Sequence, residues 1–175
     1  VSARPVEGLA MGYARLSARR TSVVIDAALP PQGRVSANGH ASTLAFELTA
    51  GRRPLIVNCR SGETFGLEWR RAGRATPSHS TLVLNEQSSA RLGALRDGHE
   101  YLVSAPRRVP IEVSQASDGL RFEGGHDGYV RDYGLTHVRK LELTFDGRGL
   151  AGEDMLVTLD DDDKERFDKA LDTSG

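Results

Sequence analysis

Two similar stretches decide how this chain folds: residues 39–48 read GHASTLAFEL, and residues 77–84 read PSHSTLVL. Each stretch places a histidine beside small hydroxylated residues, immediately before an alternating apolar run. Such alternation, with a period of two, is typical of a strand that buries one face. In the first stretch Leu44, Phe46 and Leu48 would share the buried face. Both stretches are therefore predicted to be strands with a histidine at their entrance.

A third run lies between these two and reads RPLIVNC at residues 53–59. It is apolar but too short for a helix, so it is predicted to be the strand that follows a hairpin connection. Three consecutive strands would bring His40, Asn58 and His79 close together. This convergence is the strongest functional signal in the residues themselves.

The rest of the chain also reads as short strands. Runs rich in β-branched residues alternate with glycine and aspartate turns, such as the DG at 118–119. The clearest hairpin joins a strand over 135–145 to one over 150–159. A short helix is expected within the glycine-rich segment 61–74. The predicted fold class is all-β, an antiparallel, supersandwich-like β-sandwich with almost no helix.

Composition limits the class of protein. The chain has 175 residues and a formal net charge of -1, which suits one domain over 1–175 and gives no basic field for nucleic acid. No apolar stretch approaches the roughly 20 residues that span a bilayer, so no membrane partner is expected. The chain starts at Val1 without an initiator methionine or a signal-like core, so we expect a fragment of a longer protein. Residues 160–175 are acidic and are expected to be a disordered or helical tail.

His40 and His79 are candidate zinc ligands through neutral imidazole nitrogens, with Asn58 as the third partner. The alternative is that both histidines are hydrogen-bonded structural residues at strand ends, because single histidines so far apart are not a specific signal. Cys59 would point to the opposite face from Asn58, and its apolar strand predicts a buried, inert thiol.

A second candidate site is the arginine-rich segment that contains Trp69, Arg70, Arg71 and Arg74. Guanidinium groups match the geometry of carboxylate or sulfate, and an indole can stack on a sugar ring, so these residues are predicted to bind an acidic sugar. The alternative is a solvated polar segment with Trp69 packed into the core. The HDGY at 126–129 has residue types suited to acid–base chemistry, but these types also form turns, and a loop is predicted there.

Several segments, taken in order, resemble the β-domain of heparinase II/III-like proteins. They are NGHA at 38–41 with LAFEL at 44–48, GRRPLIVNC at 51–59, ATPSHSTLVL at 75–84, HDGYVR at 126–131, GLTHVRK at 134–140 and LAGED at 150–154. The likeness runs from about Gly12 to Leu171, and the order of the motifs is more specific than any one of them.

The resemblance implies an N-terminal α/α toroid paired with a C-terminal antiparallel β-sandwich, which together cleave uronic-acid-containing polysaccharides by β-elimination. A tyrosine and a histidine, mostly from the helical half, would move the protons. Where a metal is present, it is held by motif positions that match His40, Asn58 and His79. The implied partners are an acidic polysaccharide and the toroid domain of the same protein, and the implied compartment is periplasmic or secreted.

Three residues depart from the family pattern. Asn58 stands where an aspartate would supply charge, Asn38 stands where lyases often have a catalytic histidine, and Ser42 replaces a common acidic residue. No catalytic residue is therefore assigned within the chain, and without the helical half the chain is expected to be inactive. The expected role is the β-domain of a lyase; a non-catalytic carbohydrate-binding domain and a purely structural β-domain remain as alternatives.

Overall fold

The computed structural model describes the backbone of residues 4–5 and 9–173 and the side chains from residue 9 onward. Within this part of the chain the strands, in order, are β1 Arg4–Pro5, β2 Leu9–Ala10, β3 Tyr13–Ala18, β4 Thr21–Asp26, β5 Phe46–Ala50, β6 Arg53–Ile56, β7 Arg91–Leu92, β8 Leu102–Ser104, β9 Ile111–Gln115, β10 Gly119–Tyr129, β11 Leu135–Thr144 and β12 Leu150–Val157. The α-helices are α1 Leu67–Arg74, α2 Val130–Tyr133 and α3 Asp161–Thr173, and 3-10 turns cover Gly33–Asn38, Glu63–Phe65 and Thr76–Ser78.

Two five-stranded antiparallel sheets pack face to face. The N-terminal sheet has the strand order β2-β3-β4-β5-β6, and the C-terminal sheet has the order β1-β9-β10-β11-β12. Their shared apolar core joins Leu16 and Ile25 of the first to Phe122, Leu141 and Leu143 of the second. The predicted all-β antiparallel sandwich is confirmed, although α1 and α3 supply more helix than the near absence expected.

The core follows the period-two alternation of its strands. β3 buries Ala14, Leu16 and Ala18 and exposes the residues between them, and β4 buries Val23 and Ile25 in the same way. Burial of each large aliphatic side chain contributes about 1.5–3 kcal/mol to folding. This alternation fixes the register, because a slip of one residue would turn these side chains to solvent.

The inward face of β11 changes character along the strand. Leu143 and Leu141 are buried and apolar, whereas Arg139 and His137, on the same face, are buried and polar. Across the ladders, His137 pairs with His126 of β10, and Arg139 pairs with Asp154 of β12. The sandwich therefore has an apolar core at one end and a polar core at the other.

Residues 77–84 are not a strand, contrary to the prediction. After the 3-10 turn Thr76–Ser78 the chain runs irregularly, because side chains satisfy its backbone. The Ser80 N–H donates to Asn58 Oδ1 at 2.7 Å, and the Leu82 carbonyl accepts the Tyr129 hydroxyl at 2.8 Å. The first stretch also becomes a strand only at Phe46, since Leu44 has a left-handed φ of 64°.

Two further expectations are wrong. Residues 126–129 belong to β10 instead of a loop, because their pairing with β11 continues through a bulge between His126 and Tyr129. Cys59 is exposed, since β6 is an edge strand that ends at Ile56.

The predicted hairpin of β11 and β12 is confirmed, with Gly147 in its turn at a left-handed φ of 68°. The acidic tail is helical: α3 begins with three aspartates, and Asp160 Oδ1 accepts the Asp163 N–H at 2.8 Å. Carboxylates at a helix N-terminus are favourable because they face the positive end of its dipole. No helix among the described residues is both long and apolar enough to cross a membrane.

Candidate functional site: the histidine cleft

An open cleft of about 640 Å³ gathers His40, Asn58 and His79 on its walls, so the three residues singled out in the sequence do converge. We call it the histidine cleft. Asp26 and Glu47 add two carboxyl groups to the lining. Its rim is apolar and exposed, and the side chains that form it are Met11, Tyr13, Val24 and Leu29.

The two histidine-bearing segments meet because buried hydrogen bonds join them. The fully buried Thr76 donates its hydroxyl to the Ala41 carbonyl at 2.8 Å. In return the Ala41 N–H donates to the Arg74 carbonyl at 2.8 Å. These two hydrogen bonds hold the segments of His40 and His79 together, although the two histidines are 39 residues apart in sequence.

The imidazole rings of His40 and His79 are in direct contact. His40 Nδ1 and His79 Nε2 are 3.4 Å apart, and the ring centroids are separated by 5.3 Å. Burial and the charge of Arg74 lower the pKa of His40. Burial, together with the neighbouring His40, lowers the pKa of His79 to about 4. Both rings are therefore neutral at physiological pH, the state in which imidazole accepts a proton or binds a metal.

Asn58 supports the cleft from the other side. Its Oδ1 accepts the Ser80 N–H at 2.7 Å, and its Nδ2 donates to the Phe46 carbonyl at 3.4 Å. Two imidazole nitrogens on a tetrahedral zinc ion lie about 3.4 Å apart, which equals the separation of the two ring nitrogens here. Asn58 adds a neutral oxygen that already accepts a hydrogen bond. Among the described residues no group of three His, Cys, Asp or Glu side chains is arranged to hold a metal.

Asp26 was not anticipated from the sequence. It ends β4, and its Oδ2 accepts the Ser42 hydroxyl at 2.6 Å. Burial raises the pKa of its carboxyl, and the hydrogen bond from Ser42 only partly opposes this. A carboxyl that holds its proton more tightly than usual, beside two neutral imidazoles, gives the cleft both acidic and basic groups.

The arginine-rich segment divides into buried and exposed groups. Arg70 donates to the Ala37 carbonyl and to Asn38 Oδ1, both at 3.0 Å. Arg74 is 1% exposed and donates to the carbonyls of Gly39, Ser36 and Glu100 at 2.7–2.9 Å. These two guanidinium groups therefore hold the backbone that leads into His40.

Arg71 and Trp69 lie on the outside of α1. Arg71 pairs with Glu100, and Trp69 is 65% exposed with its ring 6.4 Å from that of Phe65, which is also exposed. Trp69 is thus not packed into the core. Together the two rings form an apolar surface beside the site.

A network of hydrogen bonds begins at the buried His126 and His137 and ends at Asp154, which is partly exposed. The Gly128 N–H donates to His126 Nδ1 at 3.1 Å, which leaves the proton of that ring on Nε2. His126 Nε2 then donates to His137 Nδ1 at 3.1 Å, and His137 Nε2 donates to Asp154 Oδ1 at 2.7 Å. This order fixes both tautomers, and burial lowers the pKa of His126 to about 3.

Part of this hydrogen-bonded network is encoded in the sequence pattern. His137 and Arg139 have the same parity along their strand as Leu141 and Leu143, which predicts that they are inward-facing. Two buried polar residues in a row require partners, and this requirement points to a polar network. Nothing in the spacing identifies Asp154 or His126 as those partners before the strand register is known.

Comparison with known proteins identifies the family of this chain. The chain belongs to the heparinase II/III-like C-terminal domain family, whose sequence profile matches residues 2–171. It is also similar to FtsZ-localized protein C of Caulobacter vibrioides (strain NA1000 / CB15N), with 32% identity over 152 residues. That match covers 85% of this chain and 26% of the relative, so the chain spans about a quarter of that protein's length. No solved structure matches the chain significantly. The family indicated by the motifs is confirmed.

Proposed function

We propose that this chain is the β-domain of a polysaccharide lyase that cleaves a uronic-acid-containing glycan by β-elimination. The observation that carries the proposal is the histidine cleft, in which the neutral rings of His40 and His79 face the same space as Asp26. Family membership supports the same role. The helical toroid of the same protein would form the opposite wall and would contact the apolar rim.

The chemistry requires that the uronate carboxylate be neutralised, so that the α-proton becomes acidic. Within this chain a hydrogen-bond donor has to face that carboxylate, and Asp26, whose pKa is raised by burial, donates a hydrogen bond only in its protonated form. Imidazole N–H groups of His40 and His79 can donate in the same way. The groups that move the protons would come from the helical half, as in the family, so this chain binds and polarises the substrate.

We also propose that His40 and His79 hold a zinc ion, with Asn58 as the third ligand. The 3.4 Å between the two ring nitrogens supports this, and the lack of a charged ligand predicts weak binding. Zinc would supply a positive charge to the substrate carboxylate. The hydrogen bond between the two rings competes with zinc binding, because a ring nitrogen that takes part in this bond cannot bind zinc at the same time.

The glycan would continue from the histidine cleft over α1. Trp69 offers an exposed ring for stacking on a sugar, and Arg71 offers a guanidinium group near it. Arg70 and Arg74 contribute to sugar binding through the backbone that they hold in place, since their own donors are bonded to carbonyl and amide oxygens. Trp69→Ala should therefore weaken glycan binding without loss of stability.

The test is a substrate panel with the full-length protein that contains this domain. Heparin, heparan sulfate and alginate would be incubated with the protein, and the absorbance of the unsaturated uronate product would be followed. Steady growth of that absorbance with at least one acidic glycan is expected. A flat absorbance across the acidic panel would contradict the lyase proposal.

A second candidate is a non-catalytic glycan-binding domain. The observation that favours it is Asn38, which occupies the place of a catalytic histidine and accepts a hydrogen bond from Arg70. This candidate predicts glycan binding without product formation. The Caulobacter relative is named as an FtsZ-localized protein. Under this second candidate function, the present protein would have the same localisation. A fluorescent fusion spread evenly through the cell would contradict that extension.

A further inference from the structure

We infer that the histidine cleft continues into a second, guanidinium-lined cleft that binds another anionic sugar unit of the same glycan. This inference rests on the proposed function, and it adds a subsite and the kind of sugar that the subsite takes. The second cleft has a volume of about 520 Å³ and lies between the loop after β4 and the corner of β10 and α2. We call it the arginine cleft. Among its lining residues are Gln32, Ser104, Arg107, Asp127 and Arg131.

The two clefts are adjacent. Pro31 lines both of them, so the segment that contains it is the ridge between them. Gly39 of the histidine cleft lies at the same junction: a Cβ placed on it would be 2.9 Å from Pro31 Cγ and 3.0 Å from Leu102 Cδ1. Leu102 lines the arginine cleft. The absence of a side chain at Gly39 thus lets the segments that line the two clefts pack together, so that a single ridge separates the clefts.

The arginine cleft presents cationic groups that the fold does not use. Neither Arg107 nor Arg131 forms an ion pair within the described part of the chain, and both are exposed. This differs from Arg70 and Arg74, whose donors are bonded to oxygens of the protein. Guanidinium groups without a partner in a concave surface are suited to carboxylate or sulfate.

Asp127, a carboxylate among the lining residues, fixes the backbone that carries Arg107. Asp127 Oδ1 accepts the backbone N–H groups of Arg107 at 2.7 Å and of Arg108 at 3.1 Å. These bonds hold the chain after β8 against the end of β10, directly before the helix that carries Arg131. They also offset part of the negative charge of Asp127, so the two guanidinium groups dominate the cleft.

The anion that fits best is a sugar that repeats its charge along a polymer. A uronate in the histidine cleft is followed by further anionic units, and the next cleft along the surface presents arginines. Two linked subsites bind a long chain more tightly than either subsite alone, whereas a short chain reaches only one of them. The inference therefore predicts an effect that depends on the length of the glycan.

The experiment compares size-fractionated alginate and heparin oligosaccharides, from disaccharide to decasaccharide, by calorimetric titration of the full-length protein. The variants are Arg107→Ala/Arg131→Ala and, as a control with the same change of charge, Arg96→Ala/Arg148→Ala, two exposed arginines outside both clefts. The first variant should bind decasaccharides about ten-fold more weakly or worse and disaccharides as wild type does. The control should change neither. A preference for the carboxylated or the sulfated series would identify the anion.

Other outcomes would overturn the inference. Equal weakening by the control variant would show that only overall charge matters. If decasaccharide binding is lost in His40→Ala/His79→Ala but unchanged in Arg107→Ala/Arg131→Ala, the arginine cleft is not a subsite, and the proposed function still stands. Failure of the wild-type protein to bind any of these oligosaccharides would contradict both the arginine subsite and the proposed function.

Discussion

Arg139 and Asp154 face each other across β11 and β12 and form a two-point ion pair, with Nε–Oδ1 and Nη2–Oδ2 distances of 2.8 Å each. The remaining nitrogen, Nη1, donates to the carbonyls of Leu44 at 2.7 Å and of Ser80 at 2.6 Å. One guanidinium thus joins the C-terminal sheet to both segments that carry the cleft histidines. It also holds Leu44 in its left-handed conformation.

Arg139→Ala should destabilise the domain by about 3 kcal/mol, because it removes the charged partner of Asp154 and leaves the carbonyls of Leu44 and Ser80 without this donor. Arg139→Lys should recover part of this loss, since a lysine supplies charge but not the planar fork. Urea unfolding measures both. The control is Arg121→Ala, which removes an exposed ion pair to Glu142 and should cost less than about 1 kcal/mol. Equal costs for Arg139→Ala and Arg121→Ala would contradict the bridging role.

Stability should fall as the pH falls from about 6.5 towards 3, because His126 stays neutral in the fold while it gains a proton in the unfolded chain. Its folded pKa of about 3 lies below the ordinary 6.5, so the stabilisation is complete above 6.5 and is lost towards 3. Between pH 6.5 and 4.5, His126→Gln should reduce the slope of unfolding free energy against pH by up to about 1.4 kcal/mol per unit.

His40 and His79 act in the same direction, so the wild-type slope includes their contributions as well. The difference between His126→Gln and wild type isolates the buried ring. An unchanged slope in that variant would mean that His126 is not held neutral by the hydrogen-bonded chain.

Asp26→Asn should stabilise the domain at pH 7. Burial raises the folded pKa of Asp26, so its ionisation is costlier in the fold than in the unfolded chain, and the cost is present only above the unfolded pKa near 3.8. The gain should shrink as the pH is lowered towards that value. Thermal unfolding at pH 7 and pH 4 measures it. A lower melting temperature at pH 7 would indicate that the carboxylate is stabilised by its surroundings.

Asn58→Asp should increase zinc affinity by about ten-fold or more, because it adds a charged ligand beside His40 and His79. Titration with zinc, followed by calorimetry and metal analysis, measures this. His40→Ala/His79→Ala should abolish binding in both backgrounds. Equal affinity of Asn58→Asp and wild type would place the third ligand elsewhere.

Strand alternation and turn residues were enough to predict the sandwich and the hairpin of β11 and β12. The convergence of His40, Asn58 and His79 was predicted from three consecutive strands, but in the structure buried hydrogen bonds of Thr76 and Ala41 produce it, because 77–84 is not a strand. The irregular path of 77–84 was not predictable, because the apolar spacing there is strand-like. Its backbone partners are the side chains of Asn58 and Tyr129 and the guanidinium of Arg139, which are set by tertiary contacts.

The sequence also does not predict which arginines of α1 are buried. In sequence Arg70 and Arg71 are equivalent, yet one is buried on the backbone of residues 37–38 and the other pairs at the surface with Glu100. Helix phase separates them, and the phase depends on where α1 begins. The place of Asp26 in the site could not be predicted for a similar reason. It lines a cleft that forms only when loops distant in sequence pack together.

The most direct test of the account is the rate of unsaturated uronate formation by the full-length protein on its best acidic glycan. His40→Ala/His79→Ala should lower kcat/KM by about 100-fold or more, while His99→Ala, an exposed histidine outside the cleft, should leave it unchanged. Activity of the double variant equal to that of wild type, with the fold intact by circular dichroism, would contradict the claim that the histidine cleft binds the reacting sugar.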